Sequence, residues 1–145
     1  DVQPIPFGLQ MIAGNAMATE MQNPLHFWFQ EGNDAGTNSS NGVVPRKPQL
    51  RITFPDCWDG KRLTSSDQSH MTHSRSRSCP SSHPVPILQL TMFVQYPDGT
   101  NLTLASGEWI TMHADFINVW HPDTLRDLID ECVVPYVRCG RVQDA

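Results

Sequence analysis

The sequence predicts a mainly β protein, an antiparallel sandwich or jelly-roll-like sheet with long loops and one C-terminal helix. Three observations point there. Short apolar runs recur along the chain, and Leu50, Ile52 and Phe54 alternate with Arg51 and Thr53 in the period-two pattern of a half-buried strand. The twelve prolines fit strand edges and loops better than helices. Helical spacing is convincing only once, late in the chain, after several strands and long loops.

Taken in order, Gly8 to Ala13 and Leu25 to Phe29 are apolar runs of strand length, divided by a polar, Met-rich stretch. Glu31 to Gly42 is rich in Gly, Asn, Ser and Thr, which bury too little apolar area to fold alone, so it reads as a surface loop. The strand through Leu50 and Ile52 delivers the chain to Phe54-Pro55-Asp56-Cys57-Trp58-Asp59-Gly60. From Lys61 to Ser82 almost nothing is apolar, and a loop of that length is unusual in a compact domain unless it is functional or disordered. Val85 to Tyr96 is the strongest strand, and Pro97-Asp98-Gly99-Thr100 turns it into Asn101 to Ala105 as a hairpin. Glu108 to His113 is a further strand. Pro122 opens the helix, whose apolar face is Leu125, Leu128, Ile129, Cys132 and Val133. Asp123, Asp127, Asp130 and Glu131 point mostly to solvent, and Pro135 ends it.

A length of 145 residues suits a single domain spanning residues 1–145. The net charge of -5 and the lack of a basic stripe argue against nucleic acid or a polybasic membrane contact. No apolar run approaches the roughly 20 residues of a bilayer span, and no signal-peptide pattern is present. Starting at Asp1, the chain reads as a mature secreted product or a fragment.

Cys57, Cys79, Cys132 and Cys139 lack the C-x-x-C pairs of a structural zinc site. Disulfides in an oxidising compartment are the better reading, with free buried thiols as the alternative. Of the three connectivities, proximity favours Cys57 with Cys79 and Cys132 with Cys139. Two glycosylation sequons, at Asn38 and Asn101, fit the same compartment for a eukaryotic source.

Chemistry-bearing residues gather in three motifs: the one from Phe54 to Gly60, Cys79-Pro80-Ser81-Ser82-His83-Pro84-Val85-Pro86-Ile87, and His113-Ala114-Asp115-Phe116-Ile117-Asn118-Val119-Trp120. His113 and Asp115 lie two apart, so on a strand they face one side. The carboxylate could orient the imidazole as a general base. Alternatively both could ligate a divalent metal, the candidate cofactor, with His70, His73 or His83 completing a three-ligand set open to water. The bland reading has both bonded to backbone in a tight turn.

His83, between Ser82 and Pro84, has an extended, restricted backbone that suits a catalytic role, a metal ligand or a structural hydrogen bond. Asp56, Trp58 and Asp59 could bind sugar by stacking and hydrogen bonds, or form a two-carboxylate hydrolytic site. They equally read as a strand-to-loop turn with a packed Trp58 and capping aspartates. Asn118 is a further binding candidate. His70 and His73 lie in the polar loop and read as solvated, while His26 reads as a core-edge residue. Arg75 and Arg77, alternating with serines, could hold a phosphate or carboxylate, although such runs are usually solvated. The nucleophile elbow, phosphate loop and dinucleotide fingerprint are all absent.

Together with Gly8 to Gly14 and Ser69-His70-Met71, these motifs resemble, in order, the secreted fungal and actinobacterial domain of unknown function number nineteen-ninety-six. The resemblance covers nearly all of this chain and the later part of the family domain. Family members usually carry an upstream segment with a Gly-His-x-His motif and extra cysteines near positions matching 29–48, neither of which is found here. An upstream chain of the same precursor could therefore complete the site. The resemblance implies secretion, disulfides and an association with microbial polysaccharide. The function expected is an extracellular domain whose His/Asp site acts, as a metal-dependent or acid–base hydrolase, on polysaccharide or cell-wall material, or recognises it. The alternative is a non-catalytic binding or structural module.

Overall fold

Alternation of side chains decides which faces close on the core. The computed structural model describes residues 2–20, 22, 27–31, 48–97, 104–137 and 139. Its strands are β1 (Gln10–Gly14), β2 (Phe27–Glu31), β3 (Pro48–Thr53), β4 (Cys57–Trp58), β5 (Met71–Thr72), β6 (Val85–Pro86), β7 (Thr91–Gln95) and β8 (His113–Ile117). One helix, α1 (Pro122–Leu128), follows and widens into a π-wound turn at Ile129–Val133. The protein is mainly β, with antiparallel sheets and a helix near the C terminus.

The strands form three small sheets, ordered β1-β8, β2-β3-β7 and β5-β4-β6. In the first, Met11 pairs with Phe116 and Ala13 with Ala114 on the core side, while Ile12 and Asp115 pair on the outer side. In the second, Leu50 and Ile52 are buried and lie opposite Val94 and Met92. On its other face Arg51 sits over the Phe93 ring, 5.8 Å from the centroid. The third sheet is little more than a clasp, with Cys57 opposite both Thr72 and Pro86. Pro86 is tolerated because β6 is an edge strand.

Buried side chains from these sheets and from the helix meet in one cluster that includes Leu9, Met11, Ile52, Phe54, Ile87, Leu125 and Ile129. Phe54 and Phe116 lock two of the sheets edge to face, with centroids 6.0 Å apart. Leu125 and Ile129, four apart, are the buried stripe of the helix, and its acidic residues face solvent as the periodicity predicts. Val133 departs from that stripe and is exposed.

The structure changes several expected elements. The run Val85 to Tyr96 is not one strand: it is split between β6 and β7, which belong to different sheets. Between them the backbone bonds outward to two other segments, Ile87 N–H to Asp56 O, Leu88 N–H to Gln3 O, and Leu90 O from Phe54 N–H. The hairpin return at 98–103 lies outside the described residues, as do His26, most of the early polar loop, and both sequons, Asn38 and Asn101. Glu108 to His113 is not a strand either. Thr111 turns back to bond the Glu108 carbonyl with both its N–H and its hydroxyl, winding a short 3-10 turn, and β8 begins at His113. Within the long polar loop, β5 and a hairpin bridging Arg75 and Ser78 are built.

Candidate functional site

The first two motifs and the polar loop between them fold into one hydrogen-bonded cluster around the Cys57–Cys79 disulfide. Asp59 follows β4 directly. Its Oδ1 accepts the N–H groups of Lys61 and Arg62, and its Oδ2 accepts the Arg62 Nε at 2.8 Å. Burial alone would push this carboxyl up. The N–H of Arg62, its guanidinium and the N–H of Lys61 outweigh that and hold Asp59 at about 2. Gly60 completes the turn at φ +77°, where a Cβ would lie 3.1 Å from the Val85 side chain. Trp58 packs against the core and donates its indole N–H to the Arg62 carbonyl at 2.7 Å.

Arg62 then reaches Ser69, at its hydroxyl and its carbonyl. The same Ser69 carbonyl lies 3.0 Å from His83 Nε2, while His83 Nδ1 meets the Ser82 hydroxyl. A carbonyl can only accept, so Nε2 of His83 carries the proton and Nδ1 accepts from Ser82. His70 repeats the pattern at full burial. Its Nε2 donates to the Gln10 carbonyl at 2.7 Å, and its Nδ1 accepts from the Ser65 hydroxyl at 2.7 Å. His70 is therefore not solvated. Most of the loop around it is exposed, and its polar side chains bond one another at the surface.

Asp56 turns the other way. Its carboxylate accepts Ser74 N–H and Ser74 Oγ at 2.7 and 2.8 Å, and Gln89 Nε2 at 3.2 Å. Here a single carboxylate fixes the base of the Arg75–Ser78 hairpin.

The third motif lies elsewhere. His113 starts β8 opposite Gly14, whereas the carbonyl that His70 bonds belongs to Gln10, opposite Ile117 at the far end of the strand pair. Four residues of strand separate the two, roughly 13 Å at the usual rise. His113 donates Nδ1–H to the Thr111 carbonyl at 3.0 Å, and its Nε2 has no hydrogen-bond partner among the described residues. It lines a cavity of about 170 Å³ with Tyr96 and Ser106. Asp115 shares its strand face, is exposed, and makes no hydrogen bond with it. Asn118 is buried, its amide donating to the carbonyls of Ile5 and Pro6 at 2.6 and 3.1 Å and accepting Trp120 N–H.

Thus the structure joins Trp58, Asp59, His70 and His83 in one network and places His113 and Asp115 on β8, with Asn118 directly after it. Among the described residues, no three His, Cys, Asp or Glu side chains gather where they could hold a metal ion. Sequence reading missed Ser65, Ser74 and Gln89, whose types are too common to signal. It also missed Gln22, which donates to the Ile110 and Met112 carbonyls at 2.7 Å each.

With two disulfides, a mainly β fold and no helix among the described residues long and apolar enough to cross a membrane, the chain has a disulfide-braced β architecture. It matches the family described as Domain of unknown function (DUF1996) over residues 1–120, and belongs to it. No curated protein and no solved structure matches it.

Proposed function

We propose that this protein is a secreted, non-catalytic module in which the motif side chains hold a disulfide-braced scaffold and the partner is a polysaccharide or cell-wall glycan. The observation that supports this is where the polar groups are spent. His70, His83, Trp58 and Asn118 all give their donors to backbone carbonyls, and Asp59 collects backbone N–H groups. Groups committed in this way hold loops together; they are not free to bind a metal or carry protons. Secretion is supported by the two disulfides, which persist in oxidising compartments.

Co-sedimentation with insoluble polysaccharides, run beside an assay for released reducing sugar, tests the reading. The protein is expected to sediment with at least one polymer and to release nothing. Sugar release abolished by His113→Ala would overturn it in favour of a hydrolase.

One observation favours that second reading. With Nδ1–H fixed on the Thr111 carbonyl, the lone pair of His113 Nε2 is available for acid–base work in the cavity that Ser106 also lines. A bell-shaped pH–rate profile lost in His113→Ala would be its signature.

A further inference from the structure

We infer that the cleft between the Arg75–Ser78 hairpin and β6 binds a carboxylate-bearing sugar, with Arg77 as the residue that recognises its anionic group. This rests on the glycan-binding reading above and names a site and ligand class for it. The cleft has a volume of about 420 Å³, within the range of small-ligand sites. Pro86, Leu88 and Val133 supply apolar wall, and Asp56, Arg77 and Gln89 the polar groups. Arg77 is exposed, and no carboxylate pairs with it among the described residues.

The hairpin that carries Arg77 is anchored at both ends. Ser74 is bonded to Asp56 through its N–H and its hydroxyl, and Cys79 is tied to Cys57. Between these anchors, Arg75 and Ser78 exchange backbone hydrogen bonds of 2.9 and 3.0 Å, leaving a two-residue turn. Both turn residues have positive φ, 50° at Ser76 and 63° at Arg77. Such turns favour Asn-Gly, because residues with a Cβ are strained there. This chain instead holds a long cationic side chain at the strained position, over a cleft. Strain of this kind is a pointer to function when a preorganised side chain results.

The chemistry of the lining narrows the ligand. A guanidinium whose N–H donors have no partner among the described residues suits a bidentate carboxylate. Asp56 is the one acidic group among the described residues of the cleft, and three donors already occupy it. Its charge is thereby partly countered, and of its roughly four acceptor positions one is left for a ligand hydroxyl. The apolar wall fits the C–H face of a pyranose. Carboxylate, hydroxyl and C–H face together describe a uronic acid residue.

Isothermal titration with galacturonate and glucuronate trimers, beside their carboxyl-reduced neutral counterparts, tests the site. At least one uronate trimer is expected to bind ten-fold or more tightly than its neutral form, with affinity falling as salt rises. Arg77→Gly should lose that preference while melting at or above the wild-type temperature, because glycine relieves the turn; Arg77→Lys should keep only part of it. Equal binding of acidic and neutral trimers, or an Arg77→Gly variant that keeps the preference, would overturn the carboxylate site and leave glycan recognition standing. Sedimentation with a polymer but no binding of either uronate trimer would do the same. A protein that binds no glycan in either assay would overturn both.

Discussion

His70 is fully buried and is bonded through both ring nitrogens. Truncating it to alanine opens a cavity and leaves the Gln10 carbonyl without its donor. His70→Ala is expected to cost about 2–4 kcal/mol in urea unfolding, with no selective effect on ligand binding. Asp59 acts through its charge. Its folded value of about 2 lies below the ordinary 3.8, so the ionised carboxylate stabilises the folded state. That contribution is complete above the ordinary value and is lost as pH falls through about 2. Asp67 adds a smaller, solvent-exposed contribution of the same sign, held at about 2 by the hydroxyl and N–H of Ser69 and by the Ser65 hydroxyl. Urea midpoints for Asp59→Asn should therefore fall less steeply with acidification than those of wild type, without becoming flat.

At the scale of elements, the sequence marked apolar periodicity well and hydrogen-bond destinations poorly. β3 and the helix could be read because burial imposes a period on the residues themselves, at Leu50 and Ile52 in one case and at Leu125 and Ile129 in the other. The split of Val85 to Tyr96 could not, since it depends on Gln3, Phe54 and Asp56 taking up the backbone groups between β6 and β7. The motif residues were visible as unusual, but whether an imidazole faces a ligand or a carbonyl depends on contacts such as Gln10 with His70, 60 residues apart.

Both disulfides pair the cysteines that sequence proximity favours, and their ring sizes differ. Bridges separated by 22 and 7 residues should contribute about 3.4 and about 2.4 kcal/mol by loop closure alone. The larger ring also holds the β5-β4-β6 clasp and the Arg77 hairpin. Replacing Cys57 and Cys79 together by serine should cost more stability than replacing Cys132 and Cys139, and it alone should abolish uronate binding. Thermal melts and titration of the two double variants check this.

For the whole molecule, the consequential fact is that the three motifs lie at two separate places. The first two motifs and the loop between them close a disulfide-centred cluster beside the Gln10 end of the β1-β8 pair. The third supplies a strand that starts at His113 and is followed directly by Asn118, which clamps the carbonyls of Ile5 and Pro6. On the function proposed above, these side chains are scaffold rather than a shared metal-dependent centre. Elemental mass spectrometry on the natively purified protein and on His113→Ala tests it most directly. Less than stoichiometric metal in both samples is the predicted result. One metal ion per chain, lost on replacing His113, would contradict it.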